Sequence, residues 1–558
     1  MMGLHMTRRG ISHRVLLTSG IRKTLATCFA FGLLLCTVAM EAQTAPQLVP
    51  VPRPPLGWSS WNSFSNIVDS QIVMEQARAM ASSGLQKAGY QYINIDEGWW
   101  LGTRDGQGNI VVDAKAWPAL APAEQAGDMS NIVRFIHSLG LKAGIYTDAG
   151  KDGCSMFPDL GPKYFGTGSE GHYEQDFLQF AKWGFDYVKV DWCGGNKENL
   201  DPAVQYAEIA RAIARAEAIT GRRLYFSICN WGKNSPWTWA PNVGGSPADI
   251  WRTSGDIVAP IVAGHEHASR KASFTKMLSN FDQGIHPEAE HTGYYNDPDM
   301  MVLGMPGLTE EQNRLHMALW AISGAPLIVG ADLTKLSVAE RGILTNPTVL
   351  AIDQDAAGLQ AVKVAEPAAG LQVWSKPLAE PGRRAVLLLN RTASSQPIAV
   401  KWTDLGLSDA LPRITDAWTG KQLPSAGDSF QTSVPAGDGV LLLVAGKESA
   451  MTHYAPADAG TASAANPRPH SVQFRGVHAQ QPMARVEIVY RNPGSEPRYA
   501  DLQVNGQWRT RIAFPSTGSG KSGYIWIESA LNQASSDNDL VISTDHGLAP
   551  IIQSIAVQ

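Results

Sequence analysis

Residues 173–193 read YEQDFLQFAKWGFDYVKVDWC and contain one complete helix-to-strand unit. Tyr173 to Trp183 has the pattern of a helix, and Gly184 follows it as the residue type that most often ends one. The apolar run Phe185 to Asp191 then predicts a short buried strand that ends on an acid. Helices alternating with such strands are typical of folds built around a parallel sheet.

The same alternation extends from Leu56 to about Asp355. Helical stretches include Gln71 to Ser82, Ser130 to Leu139, Ala203 to Ala218 and Glu310 to Ala321. Eight strands are expected over about 300 residues, which predicts a (β/α)₈ barrel, of the TIM-barrel type, over residues 50–357. The expected strands are Leu56 to Trp61, Tyr90 to Asp96, Lys142 to Asp148, Phe185 to Asp191, Leu224 to Asn230, Ile250 to Asp256, Tyr295 to Gly304 and Ala325 to Asp332.

The chain after the barrel lacks long helical stretches. Short apolar runs over residues 358–447 predict an antiparallel β domain. Residues 448–469 are interpreted as a linker, because 456–469 is rich in Ala, Pro, Gly, Ser and Thr. Six further strand patterns over residues 470–558 predict a second β-sandwich at the C-terminus.

Composition excludes several classes of protein. Of the 558 residues 44% are hydrophobic and 17% are charged, which is typical of an ordered globular chain. The net charge is only −5, so no field concentrates nucleic acid or acidic membrane. The 17 Trp residues are numerous, and their flat amphipathic rings suit sugar faces as well as protein cores.

Residues 1–45 are expected to be a cleaved signal peptide, with a basic start, the uncharged stretch Thr24 to Met40 and small residues at Ala39, Ala42 and Ala45. The mature protein is then expected to be secreted or periplasmic, without a membrane anchor. Three cysteines would remain, and an odd number in an oxidising compartment predicts one disulfide and one free thiol.

Acids lie at six of the eight expected strand ends, where the active site of a barrel forms. They accompany Trp, Tyr, Lys and Arg at the same ends. A metal centre is disfavoured because His is missing from these ends, and His265-Glu266-His267 is interpreted as ordinary loop. No G-x-S-x-G elbow follows a strand. Carboxylates beside aromatic and cationic side chains suit sugar hydrolysis without a metal or cofactor. The strand-end side chains are Trp58, Trp61, Asp96, Glu97, Tyr146, Asp148, Lys189, Asp191, Cys229, Asn230, Trp231, Arg252, Asp256, Asp297, Asp299 and Asp332.

Six motifs together resemble glycoside hydrolase family 27, the α-galactosidases and their relatives, over about residues 50–447. They are LGWSSWN (56–62), YINIDEGW (92–99), GIYTDAG (144–150), DYVKVDWC (186–193), WRTSGD (251–256) and NDPDM (296–300). The resemblance implies that Asp191 is the catalytic nucleophile and Asp256 the acid/base of a retaining double displacement. It also implies that Lys189 keeps Asp191 ionised, and that the surroundings of Asp256 favour the protonated acid.

The resemblance further implies a set of residues that contact the terminal sugar, and a disulfide between Cys154 and Cys193 that leaves Cys229 free. The substrates would be galactose- or arabinopyranose-terminated oligosaccharides or polysaccharides. The implied sugar contacts are Trp58, Asp96, Glu97, Tyr146, Lys189, Cys229, Trp231, Arg252, Asp299 and Met300.

The sequence departs from the family pattern at Glu97, where most members have Asp, and at Asn230, where many have Glu. The longer Glu97 resembles the β-L-arabinopyranosidases of the family. It would occupy the space of the galactose hydroxymethyl group and change discrimination by about 1–3 kcal/mol. Alternatively, the backbone relaxes and Glu97 simply replaces Asp.

Residues 470–558 weakly resemble carbohydrate-binding modules of families 6 and 35, with Tyr524 or Trp526 as candidate exposed platforms. A purely structural sandwich is the alternative, because alternation does not show which face is wet. Two rival functions for the whole chain are a catalytically silent sugar-binding protein and a zinc hydrolase.

Overall fold

The computed structural model describes residues 45–154, 167–258, 271–408, 411–425, 427–457, 470–532, 537–545 and 547–558. The expected signal peptide over residues 1–45 lies outside these ranges except for Ala45. His265-Glu266-His267 also lies outside the described residues. The elements below belong to the unit Pro46–Gln558.

Eight parallel strands form the barrel, and they neighbour one another in chain order. The ring closes between the eighth and first strands through Leu327 and Leu56, and between the seventh and eighth through a bridge from Met301 to Val329. The predicted barrel is therefore confirmed, with each strand inside its expected range. The strands are Leu56–Ser59, Tyr92–Asn94, Lys142–Asp148, Tyr187–Asp191, Tyr225–Cys229, Ile250–Arg252, Tyr295–Asp297 and Leu327–Val329.

Helices follow the strands, and several begin at a side chain that caps them. Asp69 accepts a hydrogen bond from Ile72 N at 2.8 Å, and Thr309 forms a capping box with Gln312. Gly184 has φ of 94°, which explains why Tyr173–Trp183 ends where the sequence predicts. The α-helices of the described chain are Trp61–Phe64, Ser70–Ser82, Leu85–Ala88, Ser130–Ser138, Tyr173–Trp183, Cys193–Lys197, Pro202–Thr220, Phe274–Gln283, Glu310–Ser323, Val338–Leu344 and Pro347–Asp353.

The antiparallel domain after the barrel has two sheets. Apolar side chains between them, such as Val373, Val386 and Val400, are fully buried and form its core. One sheet has six strands and the other has two, Gln396–Lys401 and Ser429–Val434. The strands of the larger sheet are Val362–Ala368, Leu371–Pro377, Arg383–Asn390, Arg413–Asp416, Gln422–Leu423 and Asp438–Ala445.

The C-terminal module is a second sandwich, of a five-stranded and a four-stranded sheet. Gln47–Leu48, far away in sequence, pairs in parallel with Gly523 and Tyr524 and belongs to the larger sheet. Thr452–Tyr454 pairs with the last strand, so part of the expected linker 448–469 is an edge strand of the module. Residues 458–469 lie outside the described ranges. The other module strands are His470–Val477, Met483–Arg491, Arg498–Val504, Gln507–Phe514, Gly523–Ala530, Asn538–Thr544 and Ile551–Val557.

The module packs directly against the two preceding domains. Ala513 N donates to Thr292 Oγ1 of the barrel at 3.3 Å, and Arg485 forms an ion pair with Glu448. Trp526 is 3% exposed and packs with Ala357 and Leu359, with the partly buried Tyr524 beside it. The expectation of an exposed platform is therefore wrong for Trp526, which the neighbouring domain covers, whereas Tyr524 is only partly buried.

Candidate active site

A small cavity of about 30 Å³ lies among side chains from the barrel strands and the segments that follow them. Because parallel strands end at the same rim, residues from distant parts of the chain meet there. Six of the expected site residues line this cavity. They are Asp96, Lys189, Cys229, Arg252, Asp299 and Met300.

Lys189 is the cation at the centre of one half of the site. Its Nζ lies 2.9 Å from Asp96 Oδ2 and 3.7 Å from Asp191 Oδ2. Burial by itself would lower the lysine pKa, but Asp96, Cys229 and Asp191 raise it well above its ordinary value. Lys189 is therefore a permanent ammonium group, able to donate to a substrate hydroxyl and to stabilise both carboxylates.

Asp191 ends the fourth barrel strand and is buried. Burial raises the pKa of its carboxyl to about 6, although Lys189 and the hydrogen bond from Trp192 N, at 2.9 Å, act in the opposite direction. The expectation that Lys189 favours the ionised form agrees with this balance. The carboxyl is nevertheless a weaker acid than an exposed aspartate.

Asp148 supports the segment that follows Asp191. Its carboxylate accepts hydrogen bonds from the backbone N–H groups of Gly150, Cys193 and Gly194 at 2.7, 2.6 and 3.0 Å. Burial raises its pKa well above the ordinary value, and the charge of Asp191 adds to this effect. Asp148 therefore holds the backbone beside Asp191, a role that its residue type alone did not reveal.

Arg252 organises the other half of the site. Its guanidinium lies 3.1 Å from Asp299 Oδ1 and 3.3 Å from Asp256 Oδ1. Burial raises the pKa of Asp299 to about 6 against the effect of Arg252. The Asp256 side chain is 51% exposed. The expectation that its surroundings favour the protonated acid stays a prediction.

The three expected aromatic residues occupy different positions around the site. Trp58 is fully buried and donates from Nε1 to Ala331 O at 2.9 Å. The Tyr146 ring centroid lies 5.2 Å from Lys189 Nζ. Trp231 is partly buried, and its φ of 56° places its backbone in the left-handed region. Such backbone strain in a non-glycine residue is commonly concentrated at functional sites.

Glu97 is 1% exposed. A Cβ atom built on Gly153 would lie 2.3 Å from Glu97 Oε1 and 2.9 Å from Trp100 Cζ2, so the carboxylate packs where only glycine fits. Asn230 is buried, donates from Nδ2 to Lys233 O at 2.5 Å, and has no hydrogen-bond partner for Oδ1 among the described residues. Both departures from the family pattern therefore lie in closely packed surroundings.

The cysteines follow the pairing that the resemblance implied. A disulfide joins Cys154 to Cys193, and Cys229 is a buried free thiol 3.5 Å from Arg252 Nη1. The oxygens of Asp148 and Asp191 and the sulfurs of Cys154 and Cys193 lie within 4.8 Å of one another. Because the two sulfurs are bonded to each other, they do not present a pair of thiolates to a metal.

Two of the strand-end acids, Asp332 and Asp297, accept hydrogen bonds from nearby backbone N–H groups. Asp332 caps a short helix, accepting from Thr334 N at 3.1 Å and from Gln76 Nε2 at 2.8 Å, and is structural. Asp297 Oδ1 accepts from Asp299 N at 2.9 Å and positions that residue. Ser59, which the sequence analysis did not select, donates to Asp96 Oδ2 at 3.3 Å. Its place at the end of the first strand was the available signal.

A cluster of carboxylates, cations and aromatic rings at one rim of a (β/α)₈ barrel, followed by an antiparallel β domain, defines a glycoside hydrolase. Residues 53–355 match the family described as alpha galactosidase A, and residues 368–444 match its C-terminal β-sandwich domain. The chain belongs to the α-galactosidase family, glycoside hydrolase family 27.

Individual relatives agree with this assignment. The chain is 40% identical to Alpha-galactosidase A of Cellvibrio japonicus over 66% of its own length and 83% of the relative. It is 35% identical to Alpha-galactosidase of Oryza sativa subsp. japonica over 68% of its own length and 82% of the relative. The crystal structure of alpha-galactosidase I from Mortierella vinacea superposes with a TM-score of 0.61 at 28% identity, covering 71% of this chain and 98% of that one.

The C-terminal module has its own match. Residues 471–554 match a family described as the CBM13 domain of alpha-galactosidase. Among the helices of the described residues, none combines the length and the apolar character that a bilayer crossing requires.

Proposed function

We propose that this protein hydrolyses terminal α-D-galactosyl residues of galactosides by double displacement with retention of configuration. The observation that carries the proposal is the group of Asp191, Lys189 and Asp96 at one side of the rim, opposite Arg252 with Asp256 and Asp299. The curated relatives, 35–40% identical and named α-galactosidases, support the same substrate class.

In the first step, a carboxylate oxygen of Asp191 attacks the anomeric carbon while Asp256 gives a proton to the departing oxygen. The bond to the aglycone breaks and a glycosyl ester forms on Asp191. In the second step, Asp256 takes a proton from water, which attacks the anomeric carbon and releases Asp191. The exposure of Asp256 suits this role, because leaving group and water must both reach it.

The proposed sugar contacts divide the work of binding. Asp96 and Asp299 accept hydrogen bonds from hydroxyl groups, and Lys189 and Arg252 donate them. Each of these four groups already has a partner of opposite charge, so it is held in position before the substrate arrives. Trp58, Tyr146, Trp231, Cys229 and Met300 supply the remaining walls.

Replacing the two catalytic acids tests the mechanism. Asp191→Ala should abolish turnover of aryl α-galactosides. Asp256→Ala should lose most activity toward poor leaving groups but much less toward good ones, because a good leaving group needs no proton. Asp332→Ala is the matched control, since this strand-end acid caps a helix, bonds to Gln76 and does not line the cavity. Near wild-type turnover in Asp191→Ala would refute the assignment.

A second candidate substrate is a β-L-arabinopyranoside, which is an α-galactoside without the hydroxymethyl group. The buried and tightly packed Glu97 favours it, because its carboxylate cannot easily withdraw toward Gly153. We expect the ratio of the two activities to change in Glu97→Asp. An unchanged ratio would eliminate the steric explanation.

Export and domain roles complete the proposal. Residues 1–45 direct the chain to a secreted or periplasmic location, residues 50–357 carry catalysis, and residues 358–447 form the accessory β domain. Residues 470–558 bind carbohydrate and bring the enzyme to polysaccharides, which the CBM13 description supports. Fractionation of cells that express the full chain, with N-terminal sequencing of the exported product, tests the first of these roles.

A further inference from the structure

A cleft of about 860 Å³ lies between the barrel and the C-terminal module. The helix Pro202–Thr220 contributes Ala207 and Arg211 to its barrel wall, together with Gly244 and Gly245. The loop 494–499 forms much of the module wall. The volume falls in the range of about 300–1,000 Å³ that is typical of ligand sites. None of the proposed catalytic or sugar-contacting residues lines this cleft.

The cleft contains a buried ion pair, in which Arg511 Nη1 lies 3.4 Å from Asp501 Oδ2. Arg511 is only 9% exposed, and its Nε has no hydrogen-bond partner among the described residues. Because the ion pair holds both side chains in place, the cleft offers a guanidinium and a carboxylate to a ligand that carries hydroxyl groups.

The charges of the cleft are balanced. A neutral ligand that both donates and accepts hydrogen bonds suits such a lining, whereas an anion would meet as many carboxylates as cations. The cations are Arg211, Arg498 and Arg511, and the acids are Glu496, Asp501 and Asp545.

One aromatic ring lines the cleft, and a second bonds to a carboxylate of its ion pair. Tyr499 lines the cleft and is partly buried. Trp508 is 36% exposed and donates from Nε1 to Asp501 Oδ1 at 3.3 Å, so its ring lies next to the buried ion pair. Flat rings with a polar edge pack against the apolar faces of sugars while their N–H or O–H groups keep a polar partner.

A second cavity of about 440 Å³ shares Arg211 with the cleft and is also lined by Glu208 and Arg215 of the same helix. A ligand that extends from one cavity into the other is a chain of several residues rather than a single small molecule.

We propose that this cleft is a second glycan-binding site, which holds a neutral polysaccharide chain between the module and the barrel. This inference rests on the proposed function. It assigns carbohydrate binding to the barrel-facing side of the module and not to Tyr524 or Trp526. It would keep a polymeric substrate close to the enzyme between successive cleavages.

The test uses the full chain and affinity electrophoresis in gels that contain galactomannan or arabinogalactan. In the Asp191→Ala background, Arg211→Ala/Glu496→Ala and, separately, Tyr499→Leu should weaken retardation by about tenfold, as expected for loss of one or two hydrogen-bonding or stacking groups that line the cleft. The matched control, Arg314→Ala/Glu310→Ala, removes an exposed pair of the same types from another barrel helix and should bind normally.

Hydrolysis of an aryl α-galactoside separates this inference from the proposed function. With Asp191 intact, the cleft variants should retain wild-type activity on that small substrate. Equal retardation of the cleft and control variants, or no retardation of any protein, would overturn the second site. If the wild-type chain does not hydrolyse the aryl α-galactoside, the proposed catalytic function is refuted. The gel retardation of the cleft and control variants still decides whether the second site exists.

Discussion

Lys189 Nζ lies 3.7 Å from Asp191 Oδ2 and thereby places a buried ammonium beside the proposed nucleophile. The same nitrogen is 2.9 Å from Asp96 Oδ2, so one cation contacts both the proposed sugar-binding carboxylate and the proposed nucleophile. At about 4 Å in a partly desolvated site, such an interaction is much stronger than in water. The pH dependence of the enzyme should therefore report on this pair.

The acidic limb of the pH profile should have an apparent pKa of about 6, because burial raises the pKa of Asp191 to that value. Activity requires the ionised nucleophile, so kcat/KM should fall as the pH decreases through this value. Lys189→Met removes the opposing cation and should move the limb to higher pH on the residual activity. Lys233→Met, an exposed lysine that bonds to Asn196 at 2.6 Å, is the control. A limb that stays in place or moves to lower pH would contradict the coupling.

Gly153→Ala should decrease kcat/KM for an α-galactoside by about tenfold or more, since displacement of a site residue by 1 Å costs up to about 100-fold. The new methyl group would lie 2.3 Å from Glu97 Oε1 and force the carboxylate to move. Adding Glu97→Asp should restore part of the activity, because the shorter side chain leaves room. Gly106→Ala, whose methyl group meets open space, should have no effect. Steady-state kinetics of these three variants and the wild type measure the effect.

Glu448 should stabilise the contact between the β domain and the module. It bonds to Arg384 and Arg485, whose charges and hydrogen bonds hold its pKa at about 2 although burial acts in the opposite direction. The lowered pKa means that the stabilisation is present above the ordinary value of 4.5 and is lost as the pH falls toward 2. Glu448→Gln should decrease the free energy of unfolding by about 3 kcal/mol at pH 7.

Urea unfolding at pH 7 and at pH 3 measures this effect. The difference in unfolding free energy between wild type and Glu448→Gln should be smaller at pH 3. At that pH the glutamate of the unfolded wild type is largely protonated, and this proton binding stabilises the unfolded state. Glu380→Gln, which removes an exposed partner of Arg383, should change stability by less than about 1 kcal/mol. A difference that is equal at both pH values would disprove the linkage.

Cys154→Ser/Cys193→Ser should decrease the free energy of unfolding by about 4 kcal/mol in the chain-entropy account, because the cysteines are 39 positions apart. Dithiothreitol should lower the Tm of the wild type and leave that of the double variant unchanged. The loss should also lower kcat, since Cys193 N donates to Asp148 beside Asp191. If reductant has no effect on the wild type, the disulfide does not contribute to stability.

Local patterns in the sequence determined the barrel and most of the site. Tyr173–Trp183 has the predicted bounds because its amphipathic pattern and Gly184 are both local signals. Most of the barrel strands end on a polar residue, and the parallel arrangement brings those ends to one rim. For this reason the sequence alone predicts that Asp191, Lys189 and Arg252 lie at the same rim.

Only the tertiary structure decided how the parts are covered and joined. Gln47–Leu48 and Thr452–Tyr454 are too short for a periodic signal, and they become strands by pairing with residues far away in the chain. Alternation placed Tyr524 and Trp526 on one face but could not show that a neighbouring domain buries it. The exposure of Asp256, the contact of Glu97 with Gly153 and the cleft beside Arg511 likewise depend on segments distant in sequence. A local pattern records which side chains share a face, whereas burial is set by whatever else the chain folds against that face.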